Sequence, residues 1–396
     1  MLPDNWHLGI LSPSPWEVIA ATLLLTHITI LSVTIYLHRF SAHNSLILHP
    51  ALQHFFRFWI WLTTSINTKE WTSIHRKHHA LCETEENPHS PVQKSLSKVL
   101  WQGAELYRTE AQNEETLKRY GQRTPNDWIE NKLYTPFKHL GVVLMLAINL
   151  ALFGIIGVSI WAVQMIWIPF FAAGVINGIG HHSGYRNFEC PDAARNILPW
   201  GILIGGEELH NNHHTYPNSA RLSVKKWEID IGWLWIKAFS MLGLARVKHI
   251  QPLVRNDIGK SHIDYDTVMA IINNRFQIMV QYRKQVIIPM VEHEQQKAGE
   301  KTRKLFLSAK KLLAREESLL ANQHKEEIGL IIDSSHLLNT IYQKKQDLQA
   351  IWLQRKNHQD RLDALKEWCQ QAEASGIKSL QDFSLALKTY TLPSSA

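Results

Sequence analysis

Residues 17–37 are almost wholly apolar and carry no charge after Glu17, a length that suits one helical membrane crossing. A second run, 140–180, contains no Asp, Glu, Lys or Arg. At about 1.5 Å per residue it measures about two bilayer cores, which predicts a hairpin of two helices at about 138–158 and 160–181, turning near Gly154 to Ser159. Residues 47–68 are apolar and aromatic but interrupted by Gln53, His54 and Arg57, so they are expected to lie in the interface or re-enter. From about 262 the pattern changes: residues 265–370 are rich in Gln, Lys and Glu, with Pro289 as their one proline. Leu305, Leu312 and Leu319 recur at seven, as do Leu313 and Leu320, which predicts amphipathic hairpins or a short coiled coil. The expected fold is an all-α integral membrane protein, with a membrane domain over 1–261 and a charged helical extension over 262–396.

Against this background, His and Asn cluster in four places: His38-Arg39-Phe40-Ser41-Ala42-His43, His75-Arg76-Lys77-His78-His79, Asn177-Gly178-Ile179-Gly180-His181 and His210-Asn211-Asn212-His213-His214. Neutral imidazole is the commonest side-chain ligand for iron, copper and zinc, and nine rings exceed what one ion can take. Two metals, and hence redox chemistry, are implied. His75, His78 and His79 fall at i, i+3 and i+4, one face of a helix, and His210, His213 and His214 repeat that spacing. Asn177 and His181 are at i, i+4 at the end of the last crossing, where Asn177, a weak ligand, would act through water. His38 and His43, five apart, do not share an α-helical face; His38 is expected to end the first crossing and His43 to follow a turn. Lone histidines at 27, 49, 54, 139 and 182 read as structural. Arg39 and Arg76 read either as solvated cations or as contacts to metal ligands or headgroups.

Ligands of one centre must lie on one side of a membrane. A crossing between His43 and His75 would separate them, whereas the 140–180 hairpin returns the chain to its starting side. No Lys or Arg precedes Arg39 while 69–138 holds many, so the metal side is expected to be cytoplasmic and the N-terminus outside. The same absence, together with the lack of a small-residue cleavage site, argues against a signal peptide.

The net charge of +7 fits cytoplasmic loops and anionic lipid, and no nucleic-acid motif accompanies it. Cys82, Cys190 and Cys369 are scattered and form no CxxC, against a disulfide framework or an iron–sulfur cluster. No GxGxxG is present, so neither a nicotinamide nor a flavin module is expected and electrons must come from another protein. Nothing in 262–396 suggests chemistry; it reads as a solvated helical appendage, or as a docking surface for a partner or a second copy.

The boxes HRFSAH, HRKHH and GEELHNNHHTYP, in that order, resemble the HRxxxH, HRxHH and HNxHH boxes of the membrane fatty acid desaturases, specifically the Δ9 acyl-CoA (stearoyl-CoA) type. Asn177 and His181 match that family's Asn-x-x-x-His, and Glu83 to His89 resembles its acidic segment after the second box. The resemblance covers roughly residues 17–250. It implies a membrane stem with a cytosolic cap and a centre of two irons held by His38, His43, His75, His78, His79, His181, His210, His213 and His214, with Asn177 through water. It further implies a kinked tunnel for an acyl chain, and a cis double bond made with O2 and two electrons from an external donor such as ferredoxin. No haem is implied. The chain departs from the family in having room for one full crossing before the first box, and its C-terminal segment has no counterpart in the animal enzymes. The short N-terminus and the lack of a fused cytochrome b5 domain point to a bacterial enzyme of the inner membrane, acting on acyl-CoA or on acyl chains of phospholipid; an oligomer is compatible. The competing readings are a membrane diiron alkane or fatty acyl hydroxylase and a non-catalytic metal-handling membrane protein. The second would need ionisable ligands inside the crossings.

Overall fold

The computed structural model describes residues 9–354 and 357–392. It divides into two compact units, one of Met1–Arg186 with Asp192–Gln251, the other of Asn187–Pro191 with Pro252–Ala396.

In the first unit, helix α1 (Pro15–Leu31) starts at a capping box. Ser14 accepts from the Glu17 N–H, and the Glu17 carboxylate accepts from the Ser14 N–H at 2.7 Å. Pro15 fits the first turn, where its missing N–H is not needed. The helix does not stop at Leu31 but continues as a π-helix over Ser32–Ala42, making one apolar rod of 28 residues, Pro15–Ala42. Trp16, Leu23 and Leu24 face outward on its first half, whereas almost all of the π-helical part is buried. Helix α2 (Pro50–Thr64) packs on α1 and ends at Ser65, whose φ of 56° turns the chain sharply. Arg57, buried in the middle of α2, pairs with Asp127 at 2.5 Å and Glu130 at 3.0 Å, so its charge is matched inside the protein.

Helices α3 (Thr68–Ala80), α4 (Leu96–Glu110) and α5 (Glu114–Tyr120) follow. Next come α6 (Leu140–Phe153) and α7 (Ile156–Trp167), antiparallel about a turn at Gly154, whose φ is 64°. Helix α7 also continues as a π-helix, over Ile168–Ile176, and the apolar rod Ile156–Ile179 is 24 residues long. Among the described residues, two helices are therefore long and apolar enough to cross a membrane, while α6 is apolar but shorter. Gly103 and Gly174 let α4 lie directly on this second rod; a Cβ on either would meet the partner backbone at 2.4 or 2.5 Å. A short helix, α8 (His210–Thr215), and α9 (Ile231–Met241) complete the unit, with a two-stranded antiparallel pair, Leu46–Leu48 against Ala245–Val247.

The second unit is a helical array, Tyr265–Asn273 through Lys378–Lys388, around a core that includes Tyr282, Val286, Phe306, Leu348 and Phe383. Arg255–Asn256 pairs antiparallel with Tyr390–Thr391. The leucines spaced at seven do not run along one coiled-coil helix: the helix that carries Leu305 ends at Leu312, and Leu319 lies in a single 3-10 turn.

Candidate metal centre

The first surprise is how His38 and His43 meet. In the π-helix the backbone bonds run from i+5 to i, and the His43 N–H donates to the His38 carbonyl at 3.1 Å. Five residues is therefore only a little more than one turn, and the two rings lie 4.8 Å apart. The expectation that they occupy different faces, with His38 ending the helix, fails because it assumed α-helical spacing.

Each His-x-x-His-His box divides between two clusters. Donor atoms of His38, His43, His75, His79 and His213 lie within 4.8 Å of one another, as do those of His78, Cys82, His181 and His214. Neighbours in sequence, 78 and 79 on α3 and 213 and 214 on α8, thus turn to different clusters. In the first, His213 Nε2 lies 3.0 Å from His38 Nε2 and 2.8 Å from His79 Nε2, and His43 Nε2 lies 2.8 Å from His75 Nε2. In the second, His78 and His214 approach Nε2 to Nε2 at 3.3 Å, and His210, beside it, brings its Nε2 to 3.0 Å from that of His181. His181 lies just past the end of its helix rather than on it.

A cavity of about 910 Å³ reaches this region from outside. His38, His75, Asn177, Glu207 and His210 line one end, and exposed Arg108, Gln112 and His139 with half-buried Lys138 line the other. Between them the wall is largely apolar, with Val33, Ile74, Ile168, Ala172, Ile176 and Ile204.

Residues 14–235 match the family model described as Fatty acid desaturase. The chain belongs to the fatty acid desaturase family. The desaturase is 28% identical over 235 residues to Delta-9 acyl-lipid desaturase 1 of Arabidopsis thaliana, covering 58% of this chain and 74% of that one. It is 29% identical over 242 residues to the sn-1 stearoyl-lipid 9-desaturase of Synechocystis sp., covering 60% and 73%. It is 28% identical over 252 residues to the protein of that name from Anabaena variabilis, covering 60% and 88%. The desaturase is an oxidoreductase acting on fatty acyl chains, and the hydroxylase reading is not favoured. A second family model, described as Transposase, matches residues 268–392, within the second unit.

The residues around the rings of the desaturase were largely hidden from sequence reasoning. His181 Nδ1 donates to Glu83 Oε1 at 2.8 Å, and His214 Nδ1 to Asp192 Oδ2 at 3.1 Å. His38 Nδ1 lies 2.8 Å from Glu207 Oε1, an ion-pair distance rather than an aligned hydrogen bond. His78 Nδ1 faces the Asn87 amide. Such partners fix ring orientation and leave Nε2 as the bare donor. Glu83 and Glu207 fall in the two acidic stretches beside the boxes, a signal that could have found them; Asp192, 22 residues from His214, had none. Cys82, set aside as scattered, stands in the second cluster.

Arg39 is not a solvated cation, and half-buried Arg76 spends its guanidinium on backbone carbonyls. Arg39 is buried and donates to the carbonyls of Gly205 and Ala220 and to Asp230, while Arg76 donates to the carbonyls of Ser41, Ala42, Tyr120 and Gln122. They brace the backbone beside His38 and His43. The histidines read as structural lie outside both clusters: His27 accepts from Trp235, His49 caps α2, and exposed His139 and His182 bond Ser65 and Ser183.

Burial first, then the like charge of neighbouring rings, pushes His43, His75, His79, His210, His213 and His214 well below the ordinary imidazole value, and His78 down to about 3. Burial opposes ionisation of Glu83, but hydrogen bonds from His181, Ser90 and the Ala193 N–H outweigh it and hold the carboxyl down at about 2. These seven rings thus offer neutral nitrogen lone pairs crowded together, with carboxylates beside His38, His181 and His214 and the Cys82 sulfur in the second cluster. Crowded lone pairs repel one another unless a proton or a cation sits among them, so the set fits borderline metal ions such as iron.

Proposed function

We propose that the chain introduces a cis double bond at position 9 of a saturated acyl chain carried on a membrane lipid, using O2 and two electrons from an external donor such as a ferredoxin. The reading rests on one observation above the rest: His38 and His75 of the first histidine cluster, with His210 and Asn177, line the inner end of a largely apolar cavity with an exposed mouth. The names of the relatives support acyl lipid over acyl-CoA as the carrier.

His38, His43, His75, His79 and His213 would hold one iron, and His78, His181, His210 and His214, with Asn177 through water, the other. Bound there, the pair supplies the O2 chemistry needed to take hydrogen from an unactivated methylene, which no general base can do. In balance, two hydrogens leave adjacent carbons and O2 is reduced to two waters with two further electrons and two protons. The work of the protein is placement. Ile74, Ile168 and Ile176 exclude water along the chain path. Glu83 and Asp192 hold the protons of His181 and His214 on Nδ1, so that Nε2 points inward.

Crossings at 17–37, 138–158 and 160–181, with 47–68 in the interface, would keep both clusters on the cytoplasmic face, in a bacterial inner membrane. Residues 262–396 would form a separate helical domain.

The deciding experiment is expression of the wild type and of His213→Ala in a host lacking its own desaturase, followed by GC–MS with double-bond location. New cis-9 monoenes are expected from the wild type only, labelled first in the lipid pool. Hydroxylated chains without alkene would overturn the reaction, and first labelling of acyl-CoA would overturn the carrier.

A further inference from the structure

The cavity contains two polar groups that the reading above does not use. Gln164 is 1% exposed, lines the cavity, and neither atom of its amide has a hydrogen-bond partner among the described residues. The Tyr107 hydroxyl, also on the cavity wall, is buried and without a partner there too. Burial, reinforced by the charge of Glu70, holds this phenol well above its ordinary value, so it is protonated and able to donate. Buried amides and hydroxyls left unbonded are costly, and a pair of them on one cavity wall points to a ligand that completes them.

Their position says which part of a ligand. One turn before Gln164, Trp161 donates to the Val142 carbonyl, which sets Gln164 level with the first turn of α6, beside His139 of the mouth. Asn177, at the histidine end, lies about three turns further along the same rod. The donors therefore stand in the half of the cavity towards the mouth. An acyl chain that enters methyl end first offers its carbonyl oxygen as the strong hydrogen-bond acceptor there. Two neutral donors match the uncharged carbonyl of an ester or thioester, and not a carboxylate, which would call for a cation. Of the cations at the mouth, Lys138 is already paired with Glu70 at 3.4 Å.

We propose that the Gln164 amide N–H and the Tyr107 hydroxyl donate to the acyl carbonyl of an esterified chain and so set how many methylenes separate it from the histidines. Gln164 is then a positioning residue for regiochemistry. The inference rests on the acyl-chain reading of the cavity.

Two measurements on the full-length, iron-loaded protein test it. The first is recognition without turnover: thermal stabilisation of the detergent-purified protein by methyl stearate against octadecane. The wild type is expected to be stabilised more by the ester, and Gln164→Leu, of similar volume, equally by both. The second is double-bond location in palmitoyl and stearoyl chains. The wild type should count from the carbonyl in both. Gln164→Leu should scatter the double bond over neighbouring positions and raise KM about tenfold, the scale of one lost neutral hydrogen bond, at unchanged iron content. Tyr107→Phe should move in the same direction by less, and carries the test if Gln164→Leu does not accumulate. A wild type that ignores the ester or counts from the methyl end, or variants that keep a single positional isomer, would overturn the carbonyl site; the last is also what a cavity filled by water alone would give. Ester recognition with no alkene formed would instead sink the desaturase reading and leave the site standing.

Discussion

The two units are built from the same element and bury opposite things. In the second, helices turn Ile, Leu, Phe and Tyr inward, and buried Lys345 lays its ammonium on the Arg315 carbonyl. In the first, two of the longest rods face Leu23, Leu24, Ile156 and Ile166 outward, while the same rods and the turn after the second bury His38, Arg39, Gln164 and His181. A core of hydrocarbon tolerates substitution of shape for shape. A core of imidazole, guanidinium and carboxylate does not, because each group is satisfied only by its specific partner. The difference teaches where selection for chemistry ends and selection for folding begins.

The strongest attempt to break this contrast is a pair of substitutions. If His78 holds iron as proposed, His78→Ala should lower bound iron and reduce desaturation by at least about a hundredfold, while the protein still folds. Phe383→Ala, in the second unit, should cost about 3–5 kcal/mol of that unit's stability, read as a lower thermal midpoint, and leave the iron per folded molecule unchanged. If the two phenotypes exchange places, the division of labour is wrong. Asp192→Asn sharpens the picture at smaller scale. It keeps the shape beside His214 but removes the charge, and iron affinity should weaken about 10- to 100-fold in a competition with chelator.

pH separates the units by about 1.4 kcal/mol per unit per ring. His78 titrates at about 3 when folded and 6.5 when unfolded, so below 6.5 the unfolded state gains a proton that the folded state refuses. Iron-free protein should therefore lose stability in its first unit as pH falls from about 6.5 towards 3. Lys345, pushed by burial from 10.5 down to about 8, has the same sign in another window: the second unit should gain stability as pH rises from about 8 to 10.5. Domain-resolved hydrogen exchange across both windows would show whether each slope belongs to its own unit.

Much of the centre was legible because metal ligands come in local clusters, and the nine histidines and Asn177 all reach the cavity or the two donor groups. The hairpin was legible because a run of uncharged residues of that length has few other uses, and it turns at Gly154, inside the expected interval. What stayed hidden is non-local or violates the expected period. Arg39 meets Asp230 across 191 positions, and nothing near either residue announces the other. Gln164 looks like a tolerated amide in an apolar helix until its cavity is seen. Cys82 has no cysteine neighbour, and spacing rules look for pairs. The meeting of His38 and His43 was missed for a different reason: the ruler was α-helical and the segment is not.

That last feature bears on how the protein can change. A π-helical segment is longer in sequence than an α-helix joining the same two points, so what holds His38 and His43 together is a surplus of chain length, not the identity of any one side chain. Scanning Ser32 to Leu37 by substitution would leave this property untouched. Deleting one residue there would let the backbone relax towards the α-helical pattern and rotate everything beyond the deletion by about 100°, carrying both rings together away from His75, His79 and His213. Insertions and deletions, usually the harmless currency of loops, are in this rod the mutations that count.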